Sequence, residues 1–135
     1  MINNSDDNDF IIFNPDTLWH KDYLHEITQM QNFYFSNKLY NILLLSNKDL
    51  SFDKNFLGDF TLKNNLLKKN EKNDLIYIGC QILNKSLFKE YRVSNFSITK
   101  IWNNLQKENK LNRFQSKKKF YHLTNLDVFK KLKDL

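Results

Sequence analysis

Thr99, Lys100, Asn103, Asn104 and Lys107 are the residues whose types and spacing most resemble a working surface. Ile98, Ile101, Trp102 and Leu105 recur around them at i, i+3, i+4 and i+7, which predicts a helix over 97–109 with those four side chains inward. The polar set then falls on the opposite face. Lysine there donates to phosphates, and asparagine is well matched to adenine edges in a DNA major groove. Arg113 and the run Lys117, Lys118 and Lys119 follow at once. Placed on a two-stranded ribbon over 112–123, they would grip the phosphate backbone and add salt-dependent affinity without sequence choice.

The remaining reactive residues form no catalytic constellation. His20 and His25 are five apart, off the four-residue spacing that sets two zinc ligands on one helix face. Asp22 and Glu26 make an i, i+4 pair suited to a solvated face rather than to an acid/base couple. His122 falls on a predicted strand as a structural residue, and Cys80 ends an apolar strand with no local activating partner. Tyr77-Ile78-Gly79 with the later Arg92 is a trace of a GIY-YIG nuclease, lacking the upstream Gly-Ile-Tyr strand. The chain is therefore expected to be non-enzymatic, with neither cofactor nor metal.

Charge divides the chain. Residues 1–59 carry a net −5 and residues 60–135 a net +11, so a basic module follows an acidic front piece, as expected of a polyanion-binding surface. Two glycines and one proline argue against Gly-rich phosphate loops and for helices. A lone cysteine excludes an internal disulfide and a Cys-based metal cluster. No apolar run approaches the roughly 18 residues of a membrane span, and the acidic N-terminus has the wrong character for a signal peptide, so a soluble protein is expected, cytoplasmic or nucleoid-associated.

The elements that would position the basic surface run as follows. Residues 1–8 read as a disordered acidic tail, and 9–13 as a short strand or apolar lead-in. Asn14-Pro15-Asp16 looks like a helix start, and Trp19, Tyr23, Ile27, Met30 and Tyr34 line one face of the helix after it, giving an N-terminal acidic helical segment over 9–35. A second helix is expected over 36–45. Residues 46–73 form an insertion in which Phe52 to Phe60 and Leu62 to Leu67 suggest two short helices. Leu75 to Ile78 predicts a buried strand, Asn84 to Tyr91 a short helix, and Arg92-Val93-Ser94-Asn95 a turn. Thr124 would cap a terminal helix that seals the core with Leu126, Phe129 and Leu132.

From Ser36 to Leu123 this order resembles the winged helix-turn-helix superfamily. It is most similar to the N-terminal module of plasmid and phage replication initiators, where an extended segment also separates the first helix from the strand and the recognition helix ends in a phrase like Leu-Gln-Lys-Glu-Asn-Lys-Leu, here Leu105 to Leu111. The resemblance implies a mostly α fold with a small β-sheet: a winged-helix domain over 36–135, preceded by an N-terminal helix and closed by a C-terminal one. It further implies double-stranded DNA binding by a transcription or replication regulator, as a homodimer. A second class stays open, that of a small inhibitor, immunity or complex-assembly protein meeting its partner through the acidic helix around Asp16, Asp22 and Glu26.

Overall fold

The run Asn41-Ile42-Leu43-Leu44-Leu45-Ser46 decides the architecture. In the computed structural model, which describes residues 4–91 and 97–134, every one of these six residues is buried. They belong to a strand, β2 (Asn41–Asn47), which is central in a four-stranded sheet. A strand covered on both faces reads as a continuous apolar run, and this one has no polar side to show. The other members are β1 (Asp9–Phe13), β5 (Leu75–Asn84) and β6 (Arg113–Ser116), in the order β1-β5-β2-β6. β5 is antiparallel to both β1 and β2, whereas β6 runs parallel to β2 with Leu43 opposite Arg113 and Ser46 opposite Ser116. Strands β1, β2 and β6 therefore point one way and β5 the other.

Each face of the sheet carries its own core. Helix α1 (Tyr23–Ser36) brings Tyr23, Met30 and Tyr34 onto Ile42, Leu44, Ile76 and Ile78. On the opposite face helix α2 (Thr99–Lys107) brings Ile101, Trp102 and Leu105 onto Leu43, Leu45 and Leu75. Burying a side chain of this size contributes roughly 1.5–3 kcal/mol, so these two layers supply most of the driving force. A hairpin of β3 (Thr61–Lys63) and β4 (Leu66–Lys68) adds Leu67 to the second core. Asn64 and Asn65 close that hairpin with φ of 51° and 62°, the left-handed pair a two-residue turn requires. Helix α3 (Leu126–Lys133) lies at the end of the described chain.

This is an α/β protein with a mixed sheet, and the mostly α winged helix is overturned. The helix expected over 36–45 is the central strand, because a short apolar run is ambiguous between the two until its neighbours are known. The expected wing does not exist: β6 pairs with β2, and its would-be second arm pairs elsewhere, Phe120 with Ser51 and His122 with Thr17. Residues 46–73 hold a 3-10 turn at Lys48–Leu50 and the hairpin, rather than the two short helices expected from Phe52 to Phe60 and Leu62 to Leu67. The helix expected over 84–91 is a 3-10 turn at Lys85–Phe88. The turn expected at 92–95 lies outside the described residues, as does Arg92. The last helix is capped by Asn125, whose side chain accepts from the Val128 N–H, and Leu126 and Phe129 stay exposed instead of sealing the core.

Candidate functional site

In open α/β sheets ligands gather outside the carboxyl ends of the parallel strands. Here those ends belong to β1, β2 and β6, and the chain leaving each of them turns toward one place. After β1, residues 14–17 cross the beginning of β5. The Asn14 N–H donates to the Gly79 carbonyl at 2.7 Å, and the Thr17 hydroxyl donates to the Ile78 carbonyl at 2.9 Å. This crossing demands Gly79. Its φ is +90°, and a Cβ there would sit 2.8 Å from Thr17 Oγ1 and 2.9 Å from Asn14 Cβ. After β6 the chain doubles back beside the same segment: the Leu18 N–H donates to the Tyr121 carbonyl at 3.0 Å and the Leu123 N–H to the Asp16 carbonyl at 2.8 Å.

The result is a side-chain pair that no sequence spacing announces. His122 Nε2 lies 3.1 Å from Asp16 Oδ2. The imidazole is 17% exposed, with its ring 5.1 Å from Phe56 in an edge-to-face arrangement and 5.7 Å from Phe120. The Asp16 carboxylate is 47% exposed, so the pair opens to solvent from the aspartate side. Asp59 lies nearby, its carboxyl raised above the usual range by burial, an effect opposed by the 2.8 Å bond it accepts from the Tyr77 N–H.

Three buried polar atoms here have no hydrogen-bond partner: Asp16 Oδ1, His122 Nδ1 and the Tyr77 hydroxyl. An unmet buried polar atom costs about 1–3 kcal/mol, so three in one neighbourhood are retained against folding stability. With Nε2 turned to Asp16 Oδ2, His122 leaves Nδ1 unmet, an acceptor in the tautomer that carries its proton on Nε2. The pair then offers two acceptors, which suits a ligand that brings hydroxyl donors. Among the described residues no group of three His, Cys, Asp or Glu could enclose a metal. A magnesium ion commonly arrives with substrate phosphates and takes only one or two carboxylates, and the unmet Asp16 Oδ1 fits that smaller demand.

The residues expected to bind nucleic acid are divided among elements, on α2, at the start of β6, and in the run that leaves the carboxyl end of β6. Lys100, Asn103, Asn104 and Lys107 are exposed on α2, with Thr99 at its first residue, and the Asn104 amide donates to the Tyr91 hydroxyl at 3.2 Å. Arg113 is spent on the hairpin turn, reaching the Asn65 carbonyl and side chain at 3.2 and 2.7 Å. Lys117, Lys118 and Lys119 are exposed, but their backbone is latched: the Lys117 N–H donates to Glu26, the Lys118 N–H to the Ser116 hydroxyl, and the Lys119 carbonyl accepts from the Tyr23 hydroxyl. The helix and the basic run thus belong to different elements rather than to one docking face. The acidic helix also fails as a partner surface, since Asp16 precedes α1 and Glu26 is buried, accepting from Ser116 and Lys117.

By sequence Asp16 belongs to a helix start as an acid at the positive end of the dipole and His122 is structural, and nothing joins the one to the other. One local clue existed: a polar Asn-Pro-Asp-Thr follows directly on an apolar strand-length run, the usual place for ligand groups in an α/β sheet. Tyr77-Ile78-Gly79, the nuclease trace, is here the part of β5 under the 14–17 crossing.

No protein-family model matches the chain, and no curated protein sequence does either. Solved structures do. A glucose-1-phosphate thymidylyltransferase, as it is described, from Bacillus anthracis superposes with a TM-score of 0.70 at 16% identity, over 96% of this chain and 55% of that one. The apo form of a UDP-glucose pyrophosphorylase gives 0.64 at 18% identity over 96% and 54%, and the inositol-1-phosphate CTP transferase of T. maritima gives 0.58 at 14% over 84% and 47%. The chain spans about half the length of these structures. DNA binding and the inhibitor alternative rested on the winged helix or on the acidic helix and fall with them, and the non-enzymatic reading, which rested on the lack of a catalytic constellation in the sequence, is contradicted by a fold shared with these transferases. Among the described residues no helix is long and apolar enough to cross a membrane. The fold of this chain is the one these nucleotidyltransferase structures share.

Proposed function

We propose that the chain carries part of a nucleotidyltransferase-type site and binds a sugar or cyclitol 1-phosphate at the Asp16–His122 edge. The observation that supports this most is the position of that pair, with unmet Asp16 Oδ1 and His122 Nδ1, at the carboxyl ends of the parallel strands. The names of the similar structures supply the substrate class: glucose 1-phosphate, inositol 1-phosphate and nucleoside triphosphates. In such a transfer a phosphate oxygen of the sugar phosphate attacks the α-phosphorus of the nucleoside triphosphate, the new P–O bond forms, and pyrophosphate leaves with the electrons of the bond that breaks. Asp16 would hold the ligand through a cation or a donated hydroxyl, and His122, oriented by Asp16, would accept a hydrogen bond at Nδ1.

Titration of the isotopically labelled protein with glucose 1-phosphate, followed by amide and imidazole chemical shifts, tests this. Shifts should centre on residues 14–17, 77–79 and 120–123 and vanish in Asp16→Asn. Absence of binding at millimolar ligand, or shifts centred on 99–107, would sink the reading.

A further inference from the structure

The segment that carries His122 has a second side. Phe120 bridges to Ser51 and His122 to Thr17, so the chain between them is extended and successive side chains turn opposite ways. Phe120 and His122 meet Phe56, with ring centroids 5.8 and 5.1 Å away. Tyr121 turns from them and lines a cavity of about 740 Å³, bounded by residues 18–23, by Lys118 and Lys119, and by Leu132 of α3. Neither Asp16 nor His122 lines it. Its walls are rings already held in place. The Trp19 indole N–H donates to the Asn14 carbonyl at 3.1 Å, and the ring stands edge-to-face on Phe13 and Tyr23, with centroids 5.1 and 5.5 Å away. The Tyr23 hydroxyl donates to the Lys119 carbonyl, the Leu18 N–H ties one wall to the Tyr121 carbonyl of the other at 3.0 Å, and Phe52 backs the Tyr121 ring at 5.6 Å. His20 and Asp22 face each other at 3.2 Å. What the cavity leaves free is the Tyr121 hydroxyl and the exposed ammonium groups of Lys118 and Lys119, none of which has a hydrogen-bond or ion partner among the described residues.

We propose that this cavity is a second binding site, distinct from the Asp16–His122 pair, and that it takes a nucleoside monophosphate. The volume falls within the roughly 300–1,000 Å³ of small-molecule sites. Aromatic walls accept the face of any base, because stacking does not read the pattern of donors and acceptors on its edge. Two adjacent ammonium groups without partners answer a phosphate, each through a charge-assisted bond. A sugar phosphate would leave the ring walls unused, and a neutral aromatic would leave both lysines unanswered. Because Trp19, Tyr23 and Tyr121 are fixed before anything binds, little ordering of the walls opposes the ligand. The assignment does not depend on the sugar phosphate proposed for the other side of the segment.

Calorimetry with adenosine monophosphate, adenosine and inorganic phosphate, together with amide chemical shifts, tests this. Adenosine monophosphate should bind about tenfold or more tighter than either of its parts, with shifts centred on residues 18–23 and 118–121. Lys118→Ala combined with Lys119→Ala leaves the backbone bonds of both residues in place, and should lower that affinity about tenfold, a difference that shrinks as salt rises. Tyr121→Leu removes the stacking ring and should cost roughly five- to hundredfold. Should Tyr121→Leu not fold, the lysine variant decides alone. Inorganic phosphate binding as tightly as the nucleotide would reduce the site to two surface cations and overturn the proposal, and adenosine binding as tightly would remove the lysines from it. Equal affinity in the lysine variant, shifts centred on residues 14–17 and 122, or no binding at millimolar nucleotide would each overturn it as well, whatever glucose 1-phosphate does at Asp16 and His122.

Discussion

The basic segment from Thr99 to Lys119 and the carboxyl edge around Asp16 are opposites in how they treat polar groups. The first displays charge freely and leaves little unmet: Arg113 is bonded to Asn65, and the backbone of Lys117, Lys118 and Lys119 is bonded to Glu26, Ser116 and Tyr23. The second buries its polar groups and leaves three atoms without partners. Density of charge in a sequence measures what water can solvate, whereas an unmet atom in the interior measures what folding tolerates for another reason. The quieter region is therefore the better candidate for chemistry.

The contrast can be broken most directly at Gly79. Gly79→Ala forces a side chain into a left-handed backbone and against Asn14 and Thr17, and should cost about 2–4 kcal/mol in urea unfolding. An unchanged midpoint would mean that residues 14–17 do not cross β5 as described. Next in size is the ligand itself. Asp16→Asn and His122→Gln should each lower glucose 1-phosphate affinity about tenfold or more while leaving the melting temperature within a few degrees, since both side chains already carry unmet atoms. Calorimetry on the two variants decides it.

A smaller effect appears in alkali. Burial pushes the Cys80 thiol up from 9.0 to about 12, and Tyr77 is raised by burial as well. Above pH 9 the unfolded chain releases a proton that the folded chain keeps, so folding stability is intact below that value and falls as pH rises toward 12, by at most about 1.4 kcal/mol per unit for each such group. Cys80→Ala should flatten the slope between pH 9 and 10, and an identical slope would exclude Cys80 as its source. The smallest effect belongs to the basic segment. Replacing Lys117, Lys118 and Lys119 together with Ala should shift stability by no more than about 0.5 kcal/mol and leave sugar-phosphate affinity as it was. A clear loss of that affinity would erase the distinction between the two regions.

Periodicity located parts of the fold and misjudged their company. Ile101, Trp102 and Leu105 are buried as their spacing requires, and Leu75 to Ile78 do form a strand, but both patterns serve an α/β sheet as readily as a winged helix. Asn41 to Ser46 could not be told from a helix because its partners, β5 and β6, begin about 30 and 70 residues further on. The same distance hid the site. Asp16 and His122 are about a hundred residues apart and meet only because Thr17 and His122 bridge, a contact that neither residue's neighbours encode.

The parallel pairing of β6 with β2 also governs when the molecule becomes competent. Leu43 and Arg113 must close a long loop before either gains a hydrogen bond, and contacts of such separation form late and slowly. The hairpin of β3 and β4 and the local turns of α1 can form early, but His122 reaches Asp16 only after β6 has docked. A nascent chain that stops short of Phe120 would hold Asp16 without its imidazole. Competence is thus a property of the finished topology, and any step that delays β6 delays the chemistry with it.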